Sequence, residues 1–159
     1  MRVYEIKDAF GIENLSLTEK REPSPGYGQV LVRVRAVSLN YRDLMVVKGL
    51  YNPNIPLPFV PFSDAAGEVV SVGEGVSRVK QGDRVAGIFM QRWLAGELTD
   101  EGGRSSLGGG NPGVLAQYVV LHEDGLVHVP DHLSLEEAAT LPCAAVTAWH
   151  ATMEAGLKP

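Results

Sequence analysis

Residues 59 to 79 read Phe-Val-Pro-Phe-Ser-Asp-Ala-Ala-Gly-Glu-Val-Val-Ser-Val-Gly-Glu-Gly-Val-Ser-Arg-Val and hold the clearest structural signal in the chain. An apolar run from Ala65 to Val72 reaches a turn at Gly73-Glu74-Gly75, and Val76 to Val79 resumes an apolar segment. This pattern predicts a strand, a tight turn and a second strand. Gly67, inside the first predicted strand, indicates a bulge or the close approach of another backbone. We therefore expect a β-hairpin at the centre of a β domain.

Further strands are predicted on both sides of this hairpin. Residues 30 to 37 place valines and an alanine at every second position with Arg33 and Arg35 between them, which is typical of a strand with one buried face. Apolar segments of strand length also occur at 3–6, 15–18, 83–88, 114–121 and 126–129. Strands this closely spaced predict a barrel or a sandwich, so the fold class is mostly β with helices.

Helical patterns occur in two places. Residues 38 to 51 have apolar residues at helical spacing, with Asn40 near the start and Gly49 at the predicted end. Ser134-Leu135-Glu136-Glu137 is a capping-box sequence that predicts a helix start. After Pro142, residues 143 to 155 predict a second helix, for which Gly156 is the stop signal.

Two segments are predicted to be irregular. Residues 52 to 62 contain four prolines and are expected to form an extended loop. Residues 91 to 113 lose periodicity, end in a glycine-rich run and predict a long surface loop. A phosphate-binding loop would need a helix directly after the glycines, whereas a strand is predicted from Val114 onward.

Length, charge and cysteine content exclude several classes of protein. The 159 residues suit one domain with a real core. A net charge of -5 without a basic cluster argues against a nucleic-acid or anionic-membrane partner. The start, residues 1 to 8, has no apolar run of signal-peptide length, and a single cysteine, Cys143, fits a reducing compartment. We expect a cytoplasmic protein.

The metal-ligating residues are too few and too scattered for a structural zinc site. Such a site needs four Cys or His ligands, and the chain has Cys143 and four dispersed histidines, His122, His128, His132 and His150. Cys143 lies among alanines in a predicted helix, so the residues alone favour a small buried apolar side chain there. No Ser-His-Asp or Cys-His constellation has a recognisable spacing.

The order of several motifs resembles the N-terminal, GroES-like catalytic domain of the medium-chain dehydrogenase/reductase superfamily. The resemblance rests on Gly67 to Val76 with Val79 to Val85, and it is supported by upstream and downstream matches at Pro25-Gly26, Gly28 to Val32, Asn40-Tyr41-Arg42-Asp43, Leu141-Pro142 and Thr147-Ala148-Trp149. It covers essentially the whole chain. It implies a GroES-like β-barrel.

Within that superfamily, the chain resembles the zinc-free quinone oxidoreductases and enoyl reductases. Zinc alcohol dehydrogenases have a cysteine where this chain has Asn40 and Gly-His-Glu where it has Phe62-Ser63-Asp64, although Cys143 occupies the remaining ligand position. The resemblance thus implies hydride transfer from NADPH to a small quinone or an enone or enoyl substrate, without a metal. A zinc-dependent alcohol dehydrogenase and a non-enzymatic GroES-like interaction module are the alternatives.

The same resemblance implies the site residues. Asn40, Tyr41 and Arg42 would border the nicotinamide and the substrate, and Thr147 would reach the nicotinamide end of NADP(H). Tyr51 is our candidate for a substrate contact or proton donor, together with Asn40 as a catalytic group, while a packing role for Tyr51 and a helix-cap role for Asn40 are open alternatives.

The resemblance also implies that the chain is a fragment. Residues 1–133 would be the GroES-like catalytic domain, and 134–159 a helical segment leading into an absent dinucleotide-binding domain, because no Gly-x-Gly-x-x-Gly follows a strand. We therefore expect the isolated chain to be inactive and to bind NADPH weakly. Apolar surface left uncovered predicts self-association, and the full-length protein is expected to be a homo-oligomer.

Overall fold

The computed structural model describes residues 1–157, which form seven strands and four α-helices. The strands are β1 (Arg2–Ile6), β2 (Leu15–Glu19), β3 (Gln29–Ser38), β4 (Asp64–Val72), β5 (Arg84–Gly87), β6 (Tyr118–His122) and β7 (Leu126–His128). The helices are α1 (Tyr41–Val47), α2 (Asp100–Gly103), α3 (Leu135–Ala139) and α4 (Val146–Glu154). Short 3-10 turns occupy Ile12–Asn14 and Glu123–Gly125, and a π-helical turn, Leu141–Ala145, precedes α4. The prediction of a mostly β chain with helices is confirmed.

The strands form two antiparallel sheets. A five-stranded sheet has the order β6-β3-β4-β5-β7, and β1 pairs with β2. In the centre of the larger sheet, β3 and β4 pair with register shifts at two points, between Leu31 and Val32 and between Val34 and Ala36. A Cβ on Gly67 would collide with the carbonyl of Arg33, so the predicted close backbone approach at Gly67 is confirmed.

The central hairpin differs from the predicted one. No strand forms at residues 76–79, and β4 pairs instead with β5, with Gly67 opposite Val85. The connection turns at Gly75 and Gly82, which have φ values of 81° and 90°. Val79 is nevertheless buried in the core. The predicted strand at residues 76–79 was therefore wrong, and the apolar pattern there reflects the burial of a loop.

Three apolar clusters form the core. The largest lies on the five-stranded sheet and includes Val30, Val69 and Val85. A second joins the end of β1 to α1 through Ile6 and Val46, and a third packs Ala138 of α3 on the sheet. Phe62, immediately before β4, packs against both of the first two clusters. The segment before β4 thus connects the sheet to α1.

The predicted helix signals are found at the ends of α1 and α3. Asn40 is the N-cap of α1, where its N–H donates to Asp43 Oδ2 at 2.8 Å, and Gly49 follows the helix with a φ of 70°. Ser134 and Glu137 form the reciprocal capping box of α3. The last helix is shorter than predicted, because residues 141–145 form a π-helical turn and α4 begins at Val146.

The segment from Gln91 to Gly113 is not wholly a surface loop as predicted. It contains α2, and residues 105–108 are buried against the sheet. The following strand, β6, starts only at Tyr118, four residues later than predicted. Cys143, expected to be buried, is only partly so. Within residues 1–157, no helix is both long and apolar enough to cross a bilayer.

Candidate functional site

The head of α1 brings together four of the five predicted site residues. Asn40 caps the helix, and Tyr41 and Arg42 are its first two residues. Tyr51 lies after the Gly49 turn, where its N–H and that of Leu50 donate to the Met45 carbonyl. Tyr51 is 52% exposed.

Arg42 is enclosed by residues from three distant segments. Its guanidinium carbon lies 4.6 Å from the ring centroid of Tyr51 and 4.7 Å from that of Phe89. Nη1 donates to the Leu107 carbonyl at 3.1 Å, and Nη2 donates to Ser106 Oγ at 3.4 Å. The side chain is 11% exposed. Both terminal nitrogens of Arg42 are thus hydrogen-bonded within the protein.

Asp43 is a buried carboxyl at the same helix end. Burial raises its pKa above the ordinary value, an effect opposed by the hydrogen bond from the Asn40 backbone N–H and by the nearby charge of Arg42. Three buried polar atoms here have no hydrogen-bond partner within residues 1–157: Asn40 Nδ2, Arg42 Nε and Asp43 Oδ1. Buried polar atoms are normally paired. The head of α1 therefore retains hydrogen-bonding capacity that the described residues do not use.

Asp64 connects this region to the C-terminal helices. Its Oδ1 accepts from Ser63 Oγ at 2.8 Å, and its Oδ2 accepts from the backbone N–H of Cys143 at 2.9 Å. Burial raises the pKa of the Cys143 thiol, and the Asp64 carboxylate raises it further. In residues 1–157, no three His, Cys, Asp or Glu side chains converge as a metal site.

Thr147, the fifth predicted residue, lies on a different helix from the other four. It is the second residue of α4 and is exposed to solvent. The hydrogen bond between Asp64 and Cys143, four residues earlier, fixes the start of this helical segment relative to β4. The structure thus places Thr147 on an open surface.

Sequence reasoning missed several residues of this region. Asp43 could have been found, because Asn at the cap and Asp three residues later form a capping pair. Phe89 and Ser106 reach Arg42 from 47 and 64 residues away in the sequence, and no local pattern indicates such a contact. Phe62, the one non-glycine residue with positive φ among residues 1–157, has no sequence signal either.

Comparisons with known proteins place this site in context. A family model described as the alcohol dehydrogenase GroES-like domain matches residues 26–131. Zinc-type alcohol dehydrogenase-like protein C1773.06c of Schizosaccharomyces pombe is 48% identical over 138 residues, which are 87% of this chain and 39% of that protein. Quinone-oxidoreductase QR1, chloroplastic, of Triphysaria versicolor is 37% identical over 140 residues, or 87% of this chain and 37% of that protein.

A solved structure is also similar along the whole chain. The cobalt and zinc bound thermostable alcohol dehydrogenase from Pyrobaculum aerophilum is 33% identical and superposes with a TM-score of 0.83. The match covers 100% of this chain and 50% of that one. This chain therefore spans about two fifths to one half of the length of these three proteins.

Proposed function

The chain belongs to the alcohol dehydrogenase GroES-like domain family of the medium-chain dehydrogenase/reductase superfamily, and from this we propose that it is the substrate-side domain of an NADPH-dependent oxidoreductase. In the complete polypeptide it would reduce a quinone or an activated C=C or C=O group without zinc. Because the chain spans 39% and 37% of the two curated relatives named above, the activity of the whole protein belongs to this proposal.

The observation that carries the proposal is the unpaired amide of Asn40. Its Nδ2 is buried at the head of α1 and has no acceptor within residues 1–157. Negative charge develops on an acceptor oxygen during hydride transfer to a quinone or enone, and fixed hydrogen-bond donors stabilise such charge. Asn40 is positioned by the α1 cap, so its amide would be preorganised for this task.

The residues at this site fit a nicotinamide cofactor. A buried amide donor without a partner is suited to a polar ring substituent. Asn40 and Tyr41 would border the nicotinamide, and Thr147 would approach it from α4. The chemistry that bound NADPH supplies is hydride donation.

The side chains at the positions where zinc alcohol dehydrogenases have their metal ligands do not fit zinc. A catalytic zinc site needs three protein ligands, whereas only Cys143 and Asp64 meet here. Both Asp64 oxygens already accept hydrogen bonds from Ser63 and Cys143. Asn40 offers an amide in place of a thiolate. This donor chemistry supports the zinc-free branch of the family.

Tyr51 is the proposed proton donor, because it is half exposed and its ring contacts the guanidinium of Arg42, two residues after Asn40. In the complete enzyme, Tyr51→Phe should lower turnover of an enone by about ten-fold or more, since general acid catalysis contributes on the order of 10²-fold. Tyr27→Phe, which changes an exposed tyrosine whose ring lies against Gly75, is the matched control. Unchanged turnover in the Tyr51→Phe enzyme would remove the proton-donor role.

A zinc-dependent alcohol dehydrogenase is the second candidate, because the relative with 48% identity bears the name zinc-type alcohol dehydrogenase-like protein. Elemental analysis of the complete polypeptide distinguishes the two. About one zinc per chain, retained after dialysis, would favour this candidate over the zinc-free proposal.

A further inference from the structure

Arg42 joins four separate parts of the chain at one point. Its guanidinium contacts the rings of Tyr51 and Phe89 and hydrogen-bonds to Ser106 and Leu107. We call this arrangement the Arg42 clamp: Arg42, Tyr51, Phe89, Ser106, Leu107 and Gly109. Each contact exploits the flat guanidinium, which can stack on aromatic rings and donate in its own plane at the same time.

Gly109 is part of the clamp because it has no side chain. A Cβ at this position would collide with Nη2 of Arg42 and would lie 2.9 Å from Ser106 Oγ. Gly109 does not have a positive φ, so its backbone conformation would accept alanine. A side chain at position 109 would therefore displace the Arg42 guanidinium from its present position.

The clamp also includes a contact with the Tyr51 ring. The backbone of Tyr51 is held by the Met45 carbonyl, while its exposed side chain is in contact with the Arg42 guanidinium. On the opposite side of the clamp, Leu107 is buried in the main core. Arg42 therefore connects the exposed ring of Tyr51 to a buried part of the sheet.

We propose that Arg42 is a positioning residue, which fixes Tyr51 and the glycine-rich segment 106–110 along one wall of the acceptor site. The inference rests on the proposed function and differs from a direct cofactor contact, which the sequence led us to expect for Arg42. Both terminal nitrogens already have protein partners, and the side chain is 11% exposed. Arg42 thus acts on the acceptor through Tyr51.

Four variants of the complete enzyme test this inference. Arg42→Met removes both the charge and the planar guanidinium, and Arg42→Lys keeps only the charge. Gly109→Ala keeps the arginine but displaces its guanidinium from the clamp. Gly103→Ala is the matched control, since a Cβ there meets nothing closer than 3.9 Å. Gly109→Ala keeps the test valid if loss of Arg42 impairs folding.

The steady-state constants for acceptor and NADPH give the first readout. In Arg42→Met and Gly109→Ala, kcat/KM for the acceptor should fall about ten-fold, because small displacements of a positioned group have effects of that size or larger. The KM for NADPH should stay within about two-fold, and Arg42→Lys should not restore the acceptor constant. A rise in the NADPH KM with an unchanged acceptor constant would show a direct cofactor contact and overturn the proposal.

Cleavage by trypsin after Arg92 gives a readout that does not depend on activity. Arg92 lies at the start of the segment from Gln91 to Gly113, where its N–H donates to Oγ of Ser105, the residue before Ser106 of the clamp. Cleavage should be faster in Arg42→Met and Gly109→Ala than in the wild type and in Gly103→Ala. If the wild type reduces no acceptor, the proposed function is wrong, but the cleavage rates still test whether Arg42 positions the segment 106–110. Equal cleavage rates in all variants would overturn the clamp itself.

Discussion

Asp64 accepts a hydrogen bond from the backbone N–H of Cys143 across 79 positions of sequence, with an N to O distance of 2.9 Å. Asp64 is the first residue of β4, and Cys143 lies in the π-helical turn before α4. Asp64 is fully buried. This bond therefore fixes the C-terminal helical segment relative to the centre of the sheet.

Replacing Asp64 by Asn should destabilise the chain. An amide oxygen can still accept from the Cys143 N–H, and its NH2 group would face Ser63 Oγ, which must then accept instead of donate. The negative charge that strengthens both hydrogen bonds is lost. We expect the free energy of unfolding in urea to fall by about 1–3 kcal/mol. The Cys143 amide should also exchange hydrogen faster. Asp131→Asn, at an exposed site, is the control. Equal free energies of unfolding for the two variants would refute the role assigned to Asp64.

Glu123 should make stability depend on pH. Hydrogen bonds from the backbone N–H groups of Arg78, at 2.6 Å, and Ser77, at 2.7 Å, lower the pKa of Glu123 below its ordinary 4.5. Since the folded state binds this proton less tightly than the unfolded state, the stabilisation is present above pH 4.5 and is lost as pH falls through the lowered pKa.

The variant Glu123→Gln tests this dependence. Its urea midpoint should lie below that of the wild type at pH 7, and the two midpoints should converge as the pH falls below 4.5. Glu22→Gln, an exposed carboxyl in the segment before β3, should follow the wild type at every pH. A difference between Glu123→Gln and wild type that stays constant from pH 7 to pH 3 would contradict the assignment.

Phe62 adopts a φ of 75°, a conformation that is costly for any residue other than glycine. Phe62→Gly and Phe62→Ala both remove the ring from the two core clusters, but only glycine relieves the backbone. We expect the glycine variant to be more stable than the alanine variant by about 1 kcal/mol in urea unfolding. The usual order, with alanine the more stable, would show that Phe62 is not strained.

The exposed face of α4 should cause the 159-residue chain to self-associate. Trp149 is 66% exposed, and Val146 and Met153 lie exposed on the same helix. Sedimentation velocity should show dimers or larger species that Trp149→Ser reduces. Leu17→Ser on β2 removes an apolar side chain that is also exposed and should have no effect. A monomer at about 0.1 mM wild-type chain would contradict this prediction.

Local signals in the sequence were sufficient for several elements. Asn40 at the start of α1, the Gly49 stop and the Ser134 capping box each act within one helical turn, so these residues indicate the structure directly. The order of motifs along the chain was sufficient to identify the family, and the family match over residues 26–131 confirms it.

Contacts between distant segments could not be predicted in this way. The Arg42 clamp depends on Phe89 and Ser106, and the positive φ of Phe62 depends on its packing between two clusters. At residues 76–79 the apolar pattern was real, but burial of a loop and pairing of a strand leave the same pattern in sequence. The roles of Tyr51, Asn40, Tyr41 and Thr147 remain predictions.

The most direct test of the account is the rate at which the complete polypeptide, depleted of metal by chelation, reduces a quinone or an enone with NADPH. The account predicts that the rate is unchanged by depletion and by added zinc, because hydrogen-bond donors at the head of α1 stabilise the reduced acceptor. A rate that disappears on chelation and returns with about one zinc per chain would contradict the zinc-free mechanism.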